Sequence, residues 1–440
     1  MQTTCTTSAD LAEVRSQYEA LPYPPRKPSE ERQRLLRTWL EDLAMINHYC
    51  YAGKQDFRNG FRVLVAGGGT GDATIFLAEQ LKSTDAQIVH LDFSRASLEI
   101  ARERAAIRKL TNISWIHDSL LNLPSLDLGK FDYINCSGVL HHLADPDAGL
   151  QALRAVLKED GALGVMVYAT YGRTGVYQMQ SLLRLMQQDM KDEGAKVKHA
   201  NKVLDALPPS NWFKRSEDLH MDHKIGDAGV YDLLLHSQDR AYTVGEVYDW
   251  FEGQHDLHLA FSDVQRGRAA YLPHLVASRY GLPGVDEIKA MPLRRQHEIA
   301  ELLTGNIITH SFYATSSSNR TAPYGDPAFV PFYYHEPLNG EIMAKLFRTN
   351  HGKPFVMNHA HSGVSVMVNP GRYGASILSM IDGQRSFGQI FEILRSMQTA
   401  AGQRPVTDQE FFDDFRDGYE VLNAIERLLL RHQSVTLPTA

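Results

Sequence analysis

The feature that most narrows what this chain can fold into is the run Val63-Leu64-Val65-Ala66-Gly67-Gly68-Gly69-Thr70-Gly71-Asp72. Its apolar start reads as a strand covered on both faces, and it runs straight into a glycine-rich turn and an apolar-periodic helix. Glycines permit positive φ and let a ligand touch the main chain. The spacing discriminates between ligands. A dinucleotide fingerprint, G-x-G-x-x-G, would need glycine where Asp72 stands. The pattern present is G-x-G-x-G, at Gly67, Gly69 and Gly71. Taken alone, the loop is also compatible with a tight strand–helix turn that binds nothing.

The surrounding sequence supplies the rest of a parallel sheet. Short apolar runs at Arg62–Ala66, Ile88–Asp92, Ile113–His117, Tyr133–Cys136 and Leu163–Tyr168 alternate with helical patterns near Ala73–Leu81, Ala96–Leu110 and Asp147–Leu157. That alternation is the signature of βαβ units. Thr243 with Glu246 three residues on forms a capping box, which predicts a helix burying Val247, Trp250 and Phe251. A strand over Leu257–Val264 is expected to close the sheet. The stretch 171–242 is then an insertion after the fifth strand, above the carboxyl ends where open α/β sheets bind ligands.

Residues 1–60 read as a helical lead-in. Leu11, Val14, Tyr18 and Leu21 fall at helical spacing, Pro22-Tyr23-Pro24-Pro25 breaks that helix, and Leu35, Leu36, Trp39, Leu40 and Leu43 mark a second one. Residues 266–355 form a linking or substrate region, with a helix over Ile288–Leu303 and a loop at Ala314–Thr321. Residues 356–440 read as a compact module: a β-like segment Val364–Val368, a helix Tyr373–Ile381, a turn at Asp382-Gly383, and helices Phe387–Met397 and Asp408–Leu430.

Bulk numbers bound the function. The chain has 440 residues, 43% hydrophobic and 22% charged, which fits a soluble globular protein of about three units. A net charge of −7 argues against a nucleic-acid partner. Cys5, Cys50 and Cys136 are too few and too scattered for a disulfide framework or a CxxC metal site. No signal peptide and no membrane-length apolar run is read, so a cytoplasmic protein that does not enter membranes is expected.

Three further strand ends carry chemistry. Asp92 closes the second strand, where a carboxylate can accept both hydroxyls of a ribose. Asp118-Ser119 follows the third, where a carboxylate can meet an adenine amino group. Asn135-Cys136-Ser137-Gly138-Val139-Leu140-His141-His142 ends the fourth against the expected reaction site. Each has a structural alternative, such as a helix cap, but all three stand at the ends of successive strands in order.

With these motifs, residues 60–170 resemble class I S-adenosylmethionine (SAM)-dependent methyltransferases: the VLVAGGGTGDATIFLAEQL loop, VHLDFS, HDSLLNLP, FDYINCSGVLHHLADP and LKEDGALGVMV. The resemblance is looser as far as residue 264. It implies an α/β fold: a doubly wound, Rossmann-like class I methyltransferase sheet with a helical N-terminal lead-in, a large insertion after the fifth strand and a small α+β C-terminal module. On these boundaries residues 61–265 are the SAM-binding domain. The resemblance also implies SAM as cofactor, with Gly67, Gly69 and Gly71 along its methionine and ribose, Asp92 on ribose, Phe93, Asp118 and Ser119 at adenine, and Ser137 beside the reacting end. Gly68 departs from the Cys or Ser of many members, a change expected to cost little. Gln17–Pro25 resembles a Tyr/Pro-rich lead-in that caps the cofactor cleft in some members, which puts Tyr18 or Tyr23 over the methionine end.

Methyl transfer from a sulfonium is an in-line displacement in which the leaving group departs neutral. The enzyme must align the acceptor, and a general base helps where the acceptor carries a proton. The candidate catalytic groups are His141 and His142 after the fourth strand, then Asp222 and His223 in the insertion, and Tyr171 beside Tyr168 after the fifth strand. His220, Asp227, Asp232, His236, Asp239 and Arg240 accompany them, at spacings that match no zinc signature, so no metal is expected. Ser376–Leu394 resembles the small winged-helix peptide chaperones of the PqqD type, which implies a peptide held by strand addition. An unrelated packing tail is the alternative.

Three readings stay open at this level. The first is a methyltransferase for a small-molecule or amino-acid-like acceptor. The second is a peptide or protein methyltransferase that docks its substrate on the C-terminal module. The third is a SAM-binding regulator without turnover. Whether the protein forms a homodimer is not fixed by the sequence.

Overall fold

The computed structural model describes residues 18–263, 267–276, 281–334, 339–350, 353–359 and 364–438. Cys5, Leu11, Val14, Gln17 and Val264 therefore lie outside the described residues.

Five parallel strands form as the apolar runs dictate: β1 (Arg62–Ala66), β2 (Gln87–Asp92), β3 (Ile113–His117), β4 (Phe131–Ser137) and β5 (Leu157–Ala169). Side chains alternate between two cores. Val63 and Val65 pack on one face with Leu43, Ile46, Leu77 and Tyr133. Leu64 and Ala66 pack on the other with Leu150, Leu153, Val247 and Phe251. Burial on both faces is why β1 and β4 read as apolar runs. The Thr243/Glu246 capping box forms, and Val247, Trp250 and Phe251 are buried.

The far side of the sheet differs from expectation. β6 (Ala241–Tyr242) pairs briefly with the end of β5. β7 (His258–Ser262) does not complete the sheet next to β5. Between them lies β8 (Thr309–Thr315), antiparallel to both, giving the order β3-β2-β1-β4-β5-β8-β7. The methyltransferase-type sheet thus reaches beyond residue 265, and the expected loop at Ala314–Thr321 begins inside a strand. The helix expected over Ile288–Leu303 is two, Val285–Lys289 and Leu293–Thr304, interrupted at Pro292.

The lead-in is also corrected. Residues 35–42 are not helical; the helix is Leu43–Cys50, capped by the Asp42 side chain. The preceding segment bends and turns at residues 39–41 instead of winding into a helix, because its polar groups are taken by the sheet domain. The Tyr133 hydroxyl donates to the Leu40 carbonyl at 2.5 Å, and Trp39 Nε1 donates to Ser262 Oγ at 2.7 Å. Upstream, Arg104 is fully buried and holds Glu31 at 2.7 Å and Asp72 at 2.7 Å, while Arg26 holds Asp72 at 2.6 Å. Breaking one partner of a buried ion pair costs about 3–5 kcal/mol, so these pairs fasten the lead-in across the sheet.

The insertion folds into a helical roof around Val176, Met179, Leu183, Phe213, Val230 and Leu234, against which Leu21 of the lead-in packs. The C-terminal core is wider than residues 356–440. It includes Leu275, Phe329, Met343 and Phe347 with Phe391, Phe412, Leu422 and Leu428. The helix expected to run from Asp408 to Leu430 ends at Ala424. Leu428–His432 forms a strand instead, pairing with Phe329–Tyr333.

Candidate active site

A cavity of about 570 Å³ opens at the carboxyl ends of β1, β2, β3 and β4, beneath the roof. Its size lies in the roughly 300–1,000 Å³ range usual for small-molecule sites. Of the residues expected there, Tyr18, Gly67, Gly69, Asp92, Phe93, Asp118, Ser119, Ser137, His142 and Asp222 line it.

The glycine loop is held tightly from both sides. Gly69 has φ 52°, and a Cβ there would lie 2.7 Å from the Tyr23 carbonyl oxygen, so the lead-in rests directly on the loop. A side chain at Gly68 would strike the buried His90 ring at 2.4 Å. Glycine at that position is therefore required, contrary to the small cost expected. Gly71 does not line the cavity. It has φ 99° and caps the helix Asp72–Gln80, and its missing side chain leaves room for Ala101.

Asp92 is buried yet faces the cavity. It accepts from Gly69 N at 2.7 Å and Ser94 N at 2.8 Å. Burial raises its pKa and these backbone donors oppose the rise. A carboxylate has about four acceptor positions, so capacity for a diol remains. Asp118 accepts from Ser119 N and Asn122 Nδ2, both at 2.7 Å.

Opposite, the roof and lead-in build a polar end. Tyr23 donates to Asp222 at 3.1 Å, and Tyr18 donates to Asp232 at 3.1 Å. The Tyr168 hydroxyl approaches the other oxygen of Asp232 at 3.4 Å. Burial pushes Asp232 up to about 7, while the Tyr18 hydrogen bond works against it. Asp232, Tyr168 and Arg173 line the cavity together, with Arg173 stacked 3.5 Å from the Tyr168 ring centroid and 3.7 Å from Asp239.

Three proposed catalytic residues are not on this wall. His223 turns away, with Nδ1 on the His220 carbonyl at 2.6 Å and Nε2 on Glu217 at 3.1 Å. Tyr171 is 39% exposed to solvent, because the chain has already left β5 for the outer surface. His141 is buried behind the wall against Tyr168 and His142, and burial drives its pKa well down. Tyr168, after the fifth strand, and Asp232, from the polar cluster of the insertion, line the cavity. Glu41, Arg173, Thr309 and Ser311 also line it, and no motif in the sequence marks them.

His142, Asp232 and His236 bring one ligand atom each within 4.8 Å of one another, a geometry that invites a metal. The tautomers argue otherwise. His142 Nδ1 faces the Gln238 carbonyl at 2.9 Å and must donate, which leaves Nε2 with a free lone pair. His236 Nδ1 accepts from Gln238 N at 3.0 Å, so in the neutral ring Nε2 carries the proton and has no lone pair to give. The two rings also stack face to face at 4.0 Å. Two ligands remain, fewer than the three or four protein ligands of ordinary zinc sites.

Comparison with known proteins bears on this cleft. Residues 64–163 match the family model described as "Methyltransferase domain". The chain is 31% identical over 303 residues to the uncharacterized protein syc1184_c of Synechococcus sp., which covers 68% of this chain and 70% of that protein. It is 34% identical over 110 residues to the demethylmenaquinone methyltransferase of Shouchella clausii, covering 25% of this chain and 46% of that one. The chain belongs to the class I SAM-dependent methyltransferases. It is thus an enzyme whose cofactor is SAM. The match to the quinone enzyme spans less than half of that protein's length. PKMT2 from Rickettsia typhi, solved in complex with AdoHcy, shares the methyltransferase fold over 93% of this chain and 77% of its own, with TM-score 0.61 and 17% identity.

The cleft's own chemistry fits this cofactor better than a dinucleotide. A pyrophosphate would seek the helix N-terminus after the glycine loop. There the Asp72 side chain already occupies the first turn, held in place by Arg26 and Arg104. A nucleoside with a cationic centre meets instead the apolar walls Leu91, Phe93, Leu120 and Val139 and the acceptors Asp92 and Asp118.

Proposed function

We propose that this methyltransferase acts on an amine carried by a small-molecule or amino-acid-like acceptor. The observation that carries the reading is the composition of the cleft's polar end. The rings of Tyr18, Tyr23 and Tyr168 and the carboxylates of Asp222 and Asp232 line it together. Neither carboxylate has an ion-pair partner among the described residues; their direct donors are tyrosine hydroxyls. The Tyr18 and Tyr23 rings and the unpaired carboxylates suit a cation, worth about 0.5–2 kcal/mol per aromatic contact, while the Tyr168 face is already taken by Arg173. Burial keeps His142 neutral, with its pKa down to about 4, so it adds no competing charge.

In this reading Asp92 takes the ribose hydroxyls of SAM and Asp118 with Ser119 meets the adenine. Phe93 and Leu120 enclose the base, and Gly67, Gly69 and Ser137 offer backbone along the methionine end. When bound, the cofactor supplies an electrophilic methyl group on a sulfonium. The chain's own residues then orient the acceptor and exclude water. Tyr18 and Tyr23 cover the cleft from the lead-in, and fixed orientation of this kind is worth about 7–11 kcal/mol.

A second reading rests on a separate observation. Met221 and Ile225 flank Asp222 in one turn of the roof and are 53% and 49% exposed. An apolar rim beside the cleft suits a peptide or protein acceptor that extends over the roof.

Calorimetry with S-adenosylhomocysteine and NAD tests the cofactor site: binding of the first and silence from the second are expected. Transfer of isotope-labelled methyl from SAM to a panel of free amino acids, amines, phenols and lysine-containing peptides then tests the acceptor. Label found on hydroxyl or thiol acceptors alone defeats the amine reading. A preference for peptides that Met221→Ser abolishes favours the second reading.

A further inference from the structure

The roof places one carboxylate, Asp232, on the cavity wall, and its hydrogen bonds are directional. His236 Nε2, which carries its proton because Gln238 N–H occupies Nδ1, lies 3.4 Å from the Tyr18 hydroxyl oxygen. Tyr18 in turn donates to Asp232 Oδ1 at 3.1 Å, and Tyr168 O–H points to Oδ2 at 3.4 Å. Every donor in this chain is aimed at one carboxylate, which is 5% exposed and borders the cavity. Among the described residues it has no ion-pair partner. Two phenols are too weakly acidic to neutralise it, since burial raises both of their pKa values well above the usual range.

We propose that Asp232 is the proton acceptor of this site: it binds the acceptor's ammonium group and takes its proton before methyl transfer. The inference rests on the amine reading above. The acceptor's N–H bond breaks and its proton goes to a carboxylate oxygen of Asp232. The freed nitrogen pair forms the bond to the methyl carbon, while the carbon–sulfur pair stays on sulfur as a neutral thioether. The product is a methylated ammonium, and Asp232 ends as the neutral acid. Burial has moved the carboxyl to about 7, and a base works best when its pKa lies near the working pH.

The groups that face Asp232 come from every neighbouring element. The lead-in contributes Tyr18 and Tyr23, and β5 with its exit contributes Tyr168 and Arg173. Asp222, His236 and Asp239 stand in the roof, and His142 follows β4. Asp222 and Asp239 raise the Asp232 pKa and Arg173 lowers it, while the neutral histidines leave the balance unchanged.

The test uses the full chain loaded with S-adenosylhomocysteine and two small probes of one shape, n-butylammonium and n-butanol, titrated by calorimetry. Butylammonium is expected to bind more tightly as pH rises through about 7, in step with Asp232 ionisation. Asp232→Asn is expected to weaken it at least about tenfold and to flatten that pH dependence, with homocysteine-cofactor affinity unchanged, since a lost charge-assisted hydrogen bond is worth about 1.5–3 kcal/mol. If Asp232→Asn does not fold, Tyr18→Phe serves, because removing a donor to the carboxylate must move the pH midpoint upward. Butylammonium binding that both variants leave untouched overturns the role of Asp232 and spares the amine reading. Binding of butanol in preference, or of neither probe, overturns the amine reading and this inference with it.

Discussion

Two buried carboxylates, Asp232 in the cleft and Glu426 at the seam with the C-terminal core, carry nearly the same shift and stand in different surroundings. Burial pushes Asp232 up to about 7 and Glu426 up to about 8. Glu426 is enclosed: Tyr49 donates to it at 3.3 Å, and the chain turns there with φ 54° between the helix Asp408–Ala424 and its closing strand. Asp232 receives comparable phenol hydrogen bonds, but borders the cavity. The pair teaches that a raised carboxyl is not by itself a site. Access for a ligand, with donors arranged around that access, separates a reactive group from one that merely tolerates its burial.

The largest effect should distinguish the two directly. Asp232→Asn is expected to lower turnover by about 10²–10⁴-fold, the usual worth of a general base, at unchanged cofactor affinity. Glu426→Gln should leave turnover unchanged. Equal losses in steady-state assays would erase the distinction. Next in size, Asp92→Ala is expected to weaken S-adenosylhomocysteine by about 1.5–3 kcal/mol by calorimetry, through lost charge-assisted hydrogen bonds, and to leave butylammonium binding intact.

A smaller effect concerns pH. The folded-state pKa of Glu426 lies above its unfolded value of about 4.3, so the folded state holds a proton that the unfolded state gives up. Stability from this group is present below about pH 4.3 and lost as pH rises toward about 8. The gain in Tm from Glu426→Gln over the wild type should therefore grow between pH 5 and about 8 and level off beyond. A constant gain across that range would show that Glu426 is ionised throughout. Smallest of all, His223→Ala should change turnover by less than about twofold, because its ring is turned onto the His220 carbonyl and Glu217 and does not line the cavity.

The difference in legibility between the two ends of the sheet has physical causes. β1, β2, β4 and β5 are largely buried on both faces, so the composition of each announces it, and the edge strand β3 is marked by its apolar residues between turns. β8 reads Thr-His-Ser-Phe-Tyr-Ala-Thr, and its polar positions are stabilised by partners far away in the chain, such as Tyr271 Oη at 3.1 Å from His310 Nδ1. No local pattern marks it. Leu35 to Leu43 has helical spacing, yet its carbonyls and side chains are claimed by Tyr133 and Ser262. Leu428–Leu430 continues an apolar helical pattern, and neither glycine nor proline signals the turn at Glu426.

The cofactor half of the cleft follows from strand ends, which a sequence exposes in order. The roof is harder, because Asp232 lies in a π-helical stretch, Tyr231–Leu235, and His223 sits in a 3-10 turn. Neither has the 3.6-residue period by which one infers which side chain faces inward. The sequence therefore marks the polar cluster of the roof but does not say that Asp232, and not His223, faces the cavity.

The account depends on the glycine loop and the ends of β2 and β3 forming the adenosyl end of the cleft. A crystal structure of the protein with S-adenosylhomocysteine tests this most directly. It should show both ribose hydroxyls donating to Asp92, the adenine beside Phe93 and Asp118, and the sulfur turned toward Asp232 and Tyr168. A ligand bound elsewhere, or one whose ribose leaves Asp92 untouched, would contradict it.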